Sequence, residues 1–594
     1  MTDRTATSAG DLARRGFSDT TRAAAALESV LDAHPEAVDL VDQLAAAADQ
    51  DLALAALADL QRNAPLLLDE VFADLGWLNR LVAVLGGSNA LAQWLRAFPE
   101  DARVLAANPL ERAAPHGAAE PSLSDRVMGV LSTPAPADEL RRANRRELLR
   151  IAGRDLTSTN PFALVDTVAA ALADLADVVM EAAYRIACAQ VKGADKVRLA
   201  IIALGKCGAR ELNYISDIDV LYVAEPAGPV PPTSDEALAI GERLARVIAQ
   251  VCGGMSAAGS IWQVDAGLRP EGNSGPLVRT LESMRAYYTK WASNWEFQAM
   301  LKARPMAGDL ELGQAFVDMV SPLVWQAGER PDFVAESQAM RARVISLLPA
   351  TEADRELKLS AGGLRDVEFS AQILQLVHGR ADERLRLPAT LPALAALAGA
   401  GYIGREDGDR LAQAYRFLRV SEHRAQLWQL RRTHLMPLDV TARAKLAKSL
   451  GLSSGEELWQ RWRDTATQVR TLQQRVFYSP ILDAVAHVKS DALRLSSDTA
   501  AARLRSLGFA DTAAALRHIE ALTAGVSRSA QIQRQLLPAM LGWLAAGPNP
   551  DAGLLAFRHL SEDVGRTDWY LRTLRDTGLV AERLAKLLAS SRYA

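Results

Sequence analysis

Cysteine is scarce: the 594 residues hold only Cys188, Cys207 and Cys252, with no paired spacing. That excludes a disulfide framework, argues against a structural zinc site and fits a reducing, cytoplasmic setting. Eight histidines are scattered without a His-x-x-x-His pair, which disfavours zinc-hydrolase chemistry. No nucleophile-elbow motif supports Ser-His-Asp catalysis. No run of about eighteen apolar residues occurs, so no membrane span is expected. The N-terminus, Met1-Thr2-Asp3-Arg4, lacks the apolar stretch of a signal peptide. Excess charge of either sign is also missing. With 67 basic and 71 acidic residues the net charge is −4, which speaks against nucleic-acid binding driven by bulk charge.

What is present is ordinary for a folded protein: 49% apolar and 23% charged residues. At roughly 150 residues per domain the length suggests about four domains or subdomains. Helix formers dominate from about Phe17 to Leu110, with Ser18 or Asp19 as the first cap. The proline-containing stretch Ala113 to Asp138 reads as a linker or loop. Helical pattern resumes over Arg141–Ala152 and Leu164–Gln190. The character then changes. Val197–Leu204 and Ile218–Val223 are short apolar runs suited to buried strands, and Ser260–Asp265 is a weaker third. Between them, after a loop over Pro226–Asp235, a helix is predicted over roughly Glu236–Val251. Nearly all the β signal lies between about 197 and 270, and after Thr280 the pattern returns to helix and stays there. The fold class expected is α+β and predominantly helical, with one small mixed sheet among helices.

That island carries the chemistry-bearing residues. Residues two apart on a strand point to one side, so Asp217 and Asp219 aim both carboxylates at one spot. Two such charges repel unless a cation lies between them. Magnesium suits the pair, because it takes one or two carboxylates and completes its shell with substrate oxygens. Asp265, ending the third strand, would complete a triad. The glycine turn Gly205-Lys206-Cys207-Gly208 would bring backbone N–H groups close to a phosphate. Lys206, Arg269, Lys302 and Arg304 add positive charge around that anion. An Asp-x-Asp pair alone more often caps a helix or sits in a solvated turn. Here it begins an apolar strand just after the glycine turn, which favours a metal site.

A second constellation runs from Lys358 through Gly362-Gly363 to Phe369. It reads as the start of a helix whose N-terminus could face an anion. Arg365, Glu368 and Gln372 share one face there, while Leu364, Val367, Ala371 and Leu374 serve the apolar side. The competing reading is an ordinary buried polar network. Trp291, Trp295 and Phe297 read as core rather than a nucleobase platform, and Arg141, Arg142, Arg145 and Arg146 as a solvated helix face.

The run Gly205-Lys206-Cys207-Gly208-Ala209-Arg210-Glu211-Leu212-Asn213-Tyr214-Ile215-Ser216-Asp217-Ile218-Asp219 closely resembles the signature of bacterial glutamine synthetase adenylyltransferases. These belong to the DNA polymerase β-like nucleotidyltransferases. The likeness continues through Leu268–Val278, Trp295–Pro305, Gly362–Phe369 and, more weakly, Asp568-Trp569-Tyr570-Leu571. It covers roughly Arg141 to the C-terminus. One departure is Gly267, where many relatives carry a basic or polar residue.

The resemblance implies a polymerase β-like catalytic domain over 138–330, after an N-terminal helical region over 1–112. A helical bundle over 331–480 would follow, then a C-terminal helical segment over 481–594 that links to or regulates a longer protein. Family enzymes pair two related halves, one attaching AMP to a tyrosine of glutamine synthetase and one removing it by phosphorolysis with release of ADP. The wording Glu-Leu-Asn-Tyr resembles the removing half, and one copy of the signature is present, so an N-terminal, adenylyl-removing half is expected. The resemblance implies Asp217, Asp219 and Asp265 as catalytic ligands of Mg²⁺ or Mn²⁺. It also implies Gly205, Lys206, Ser216, Arg269, Lys302, Arg304, Lys358, Arg365 and Glu368 as substrate or phosphate contacts. The implied partners are glutamine synthetase and a PII-type signalling protein, with neither nucleic acid nor membrane. The alternatives are an ATP-dependent adenylyltransferase acting on the same tyrosine, and a non-catalytic regulatory module of the same fold. The intact acidic triad counts against the module.

Overall fold

A computed structural model describes residues 9–590 apart from 36, 38, 107–120, 331–332, 487–500, 502–503, 506, 525–527, 546, 565–569, 572 and 575–577. Residues 113–120 of the proline-containing stretch, Asp568 and Trp569 lie outside the described residues. The chain divides into two compact units. The first comprises Met1–Leu323, Pro349–Lys358 and Arg416–Arg463; the second comprises Val324–Leu348, Leu359–Tyr415 and Asp464–Ala594.

The first unit opens with short helices whose starts are set by acidic caps. Asp19, Asp49 and Asp74 each accept the N–H three residues on, at 3.0 Å, starting Thr20–Ala33, Gln50–Asn63 and Leu75–Gly87. The stretch read as a linker is in part helical. Ser122 and Asp125 form a capping box that starts Leu123–Met128, and a 3₁₀ turn Gly129–Ser132 follows. Its prolines flank these turns, and Pro136 sits in the first turn of Pro136–Leu156, where a missing N–H costs nothing.

Two long helices, Pro161–Gln190 and Ser234–Gly253, pack against a five-stranded sheet. The strands are β1 (Val197–Ala203), β2 (Ile218–Pro226), β3 (Val264–Asp265), β4 (Val278–Arg279) and β5 (Arg304–Gly308). Their order is β3-β2-β1-β5, with β4 also on β2. β1 runs antiparallel to β2 and β5, whereas β3 and β4 run parallel to β2, so the sheet is mixed. The expected runs at 197 and 218 are its central strands and lie almost wholly in the core.

The expectation that the pattern beyond Thr280 holds no strand fails at β5. Arg304-Pro305-Met306-Ala307-Gly308 has neither alternation nor a β-branched residue, and proline usually argues against a strand. It is tolerated because β5 ends the strand order, with a register shift between Ile201 and Ile202 of β1. The expected solvated arginine face is also overturned. Arg142 and Arg146 donate to the buried Asp101 at 3.1 and 2.6 Å, and Arg141 reaches the Val251 carbonyl at 2.9 Å. Arg145 lies over Trp94, and burial lowers its pKa. Of the aromatic cluster only Phe297 is core; Trp291 and Trp295 are 75% and 41% exposed. On the helix Asn294–Met300 the buried positions go to Asn294, Glu296, Phe297, Gln298 and Met300, leaving Trp295 outward, and Trp291 lies at the end of the preceding helix.

In the second unit, Leu364–His378 buries Leu364, Val367, Ala371 and Leu374 along one side. Thr512–Thr523, Arg528–Ala545, Pro550–Val564 and Gly578–Ser590 pack around Leu537, Met540, Leu544, Leu554 and Phe557.

Candidate active site

β2 supplies the central carboxylate. Ile218 and Val220 point into the core while Asp217 and Asp219 remain partly exposed, the alternation a strand imposes. Asp219 is the register partner of Asp265 across the parallel β2–β3 pair, so the two carboxylates stand side by side on one face. Asp265 is exposed, and its Oδ1 accepts the Gly267 N–H at 2.7 Å. Asp217, just before β2, pairs with Arg432 through Oδ2.

The glycine turn is a single helical turn, Gly205–Gly208, packed onto this corner. Gly205 has φ +54°, and a Cβ there would run into the Asp219 carboxylate. A Cβ on Gly208 would strike the Lys302 carbonyl. Both glycines are therefore dictated by close approach. Ser216 is half-buried between the turn and Asp217.

The basic residues expected around an anion take other partners. Lys206 is buried with its Nζ 3.4 Å from Glu422, and Lys302 is buried 3.1 Å from Glu211. Arg304 forks onto Asp177 at 2.7 and 2.8 Å and donates to the Cys207 and Gly208 carbonyls, holding the end of the glycine turn. Burial raises the Asp177 pKa even beside that guanidinium. Arg269 staples the loop after β3, donating to the carbonyls of Ala266, Asn273 and Gly275. Lys358 is half-buried, two residues beyond the β-bridge Glu356–Leu435. Arg365 and Glu368 belong to the second unit, 3.9 Å apart on their helix. There Gly362 (φ +87°) donates its N–H to Asp366 at 2.6 Å, so the helix start is met by a carboxylate of its own chain.

Sequence reasoning missed the polar set on the end of the helix Arg405–Gln429. Arg419, Glu422, His423, Arg424 and Gln426 are all buried. Glu422 touches Lys206, Arg419 and His434. Burial works against its ionisation, but Lys206, the His434 hydrogen bond and Arg419 outweigh it and hold the pKa well below the usual range. Burial and Arg419 push the His423 pKa well down, so that ring is neutral. A polar run over Ser421–Arg424 inside a helix is the signal that was available: it interrupts the apolar stripe of Leu411, Tyr415 and Leu418 for a full turn.

Among the described residues no cluster of three or more His, Cys, Asp or Glu side chains is arranged to hold a metal ion. The Asp219–Asp265 pair nevertheless suits a hard divalent cation, which needs only one or two carboxylates from the protein. Asp217, two residues before Asp219, carries an ion pair with Arg432.

Residues 78–319, which contain the whole sheet, match the family model described as glutamate-ammonia ligase adenylyltransferase. Fold and match together make this part of the chain similar to enzymes of the nucleotidyltransferase class. A second model, GlnD PII-uridylyltransferase, matches residues 338–477. Over 98% of its length the chain is 52% identical to the bifunctional glutamine synthetase adenylyltransferase/adenylyl-removing enzyme of Cutibacterium acnes, covering 60% of that protein. The like-named proteins of Streptomyces avermitilis and Leifsonia xyli are 49% and 45% identical over the same share, with 58% and 60% of their lengths covered. The chain is thus similar to these proteins along nearly all of its own length, and it spans about 60% of theirs. The expectation of an adenylyl-removing half alone is corrected by the second match, which lies beyond the 205–219 signature in what was read only as a helical bundle. No helix among the described residues is long and apolar enough to cross a membrane.

Proposed function

We propose that this chain removes AMP from a tyrosine of glutamine synthetase by phosphorolysis. An oxygen of inorganic phosphate bonds to the AMP phosphorus, the bond from phosphorus to the tyrosine oxygen breaks, ADP leaves, and the phenolate takes a proton. The observation that carries the reading is the side-by-side placement of Asp219 and Asp265, with Gly205 pressed against Asp219.

Asp219 and Asp265 would hold the divalent cation, Mg²⁺ or Mn²⁺, whose chemistry is to offset charge on the phosphoryl oxygens. Asp217, kept in place by Arg432, lends its charge from the neighbouring position. In the transfer direction Asp265, which is exposed, would help deprotonate the tyrosine. Lys206, Lys302 and Arg304 act by holding the glycine turn and the 211 segment rather than as free phosphate ligands. Arg269 and Lys358 are the remaining candidates for phosphate contact at this site, with Ser216 as a polar companion.

The removing direction is favoured by the wording Glu211-Leu212-Asn213-Tyr214. Asn213 is moreover bonded by the buried Arg419, so the amide has a structural task at that position. The transfer of AMP from ATP is the second reading, supported by the relatives' names, which cover both activities. Glutamine synthetase is the proposed protein substrate. A PII-type signalling protein is a proposed partner, supported by the second family match.

The test is incubation of the chain with AMP-modified glutamine synthetase, Mg²⁺ and inorganic phosphate. ADP release that requires phosphate is expected. AMP transfer from ATP onto unmodified enzyme, without ADP release from the modified form, would reverse the assigned direction.

A further inference from the structure

The segment Glu211–Ile215, which leads into Ser216 and Asp217, is held residue by residue from one helix. Arg419 donates to the carbonyls of Glu211 and Leu212 at 2.7 and 3.2 Å and to the Asn213 side chain. The Tyr214 hydroxyl donates to Asp155 at 2.8 Å, and Arg424 grips the same carboxylate. The Tyr214 ring meets His423 edge-on, 5.5 Å between centroids. The last of these contacts stands apart. Gln426, fully buried, accepts the Ile215 N–H at 3.1 Å and donates its own amide N–H to the Thr433 carbonyl at 3.2 Å.

Ile215 lies two residues before Asp217, and Thr433 is the residue after Arg432. One side-chain amide therefore joins the backbone that carries the carboxylate to the backbone that carries its counter-charge. The far side of the 430–437 loop is pinned separately. Leu357 donates to the His434 carbonyl at 2.7 Å and Met436 donates to the Arg355 carbonyl at 2.8 Å. With that edge fixed, the amide of Gln426 is the link that sets Asp217 against Arg432.

We propose that Gln426 is a positioning residue for the carboxylate site. It touches neither substrate nor reacting atoms. It sets the separation of Asp217 and Arg432, and through this the field in which Asp219 and Asp265 receive a divalent cation. The proposal rests on the functional reading above. A displacement of about 1 Å at a site of this kind costs on the order of 100-fold in rate. An isolated buried hydrogen bond used only for folding would instead change stability and leave binding and turnover per folded molecule intact.

The experiment compares the intact chain with Gln426→Met, which keeps the length and loses both hydrogen bonds. Mn²⁺ affinity is read from the spin-resonance signal of free Mn²⁺, and thermal stability and ADP release are followed in parallel, with Asp219→Asn as reference. The expected result is at least tenfold weaker Mn²⁺ binding and a fall in kcat at saturating substrate, with a cooperative melt retained. Unchanged Mn²⁺ affinity and kcat beside a lowered Tm would overturn the proposal and leave the functional reading standing. If the parent chain bound Mn²⁺ no better than Asp219→Asn and released no ADP, the functional reading would fail and this proposal with it. Should Gln426→Met not fold, Gln426→Glu keeps the acceptor for Ile215 and loses the donor to Thr433. A weakening of Mn²⁺ binding by threefold or more supports the clamp, and none overturns it.

Discussion

At 205–219 the carboxylates face outward from the end of a sheet, whereas at 362–366 the aspartate is sealed inside. Each segment begins with glycines at a close approach and each belongs to a different unit. Asp366 is fully buried and receives Arg341, the Gly362 N–H and Gln473. Asp219 and Asp265 are instead partly or wholly exposed, on neighbouring strands. The difference teaches what a carboxylate is for. Acids whose oxygens are all engaged by buried donors hold a fold together. Acids side by side at a surface repel one another, and that arrangement is useful where a cation is to be received.

The contrast can be broken most strongly at Asp366. Asp366→Asn leaves the Arg341 guanidinium buried without its counter-charge, and removing one partner of such a pair costs about 3–5 kcal/mol. Denaturant melts should show that loss; a change under about 1 kcal/mol would mean that the backbone carbonyls of Leu359 and Ser360 suffice for Arg341.

A smaller effect is expected from acid. His423 has a folded pKa far below its unfolded value of about 6.5, so the unfolded chain takes up the proton first and stability falls as pH drops below that value. Glu422, also depressed, adds a loss of the same sign below about pH 4.5. Each contributes at most about 1.4 kcal/mol per pH unit within its window. Melts of His423→Phe against the parent from pH 7 to 5 should show a shallower slope in the variant. Equal slopes would remove His423 from the account.

The smallest effect on stability is at Arg432. Its pair with Asp217 is solvent-exposed, so Arg432→Ala should cost under about 1 kcal/mol. A loss of several kcal/mol in the melt would show that this pair belongs with the buried ones.

Much of this arrangement was legible in the residues themselves. The strands at 197 and 218 have enough apolar and β-branched content to declare themselves, whereas Asp217 falls just before the second of them and pairs with Arg432. β5 was not legible, because proline and glycine at a sheet edge erase the pattern that identifies a strand. The fates of Lys206, Lys302 and Arg304 were hidden for another reason. Their partners Glu422, Glu211 and Asp177 lie 216, 91 and 127 positions away, and spacing carries no information over such distances. The arginines at 141–146 failed likewise, since Asp101 lies on a separate turn some 40 residues earlier.

The most direct test of the account is Asp219→Asn, assayed for phosphate-dependent ADP release from AMP-modified glutamine synthetase alongside a thermal melt. The account predicts a loss of at least about 100-fold in turnover with the Tm held within a few degrees, because the proposed role puts this carboxylate at the reaction and the fold leaves it outside the core. Near-normal turnover in a folded Asp219→Asn protein would contradict it.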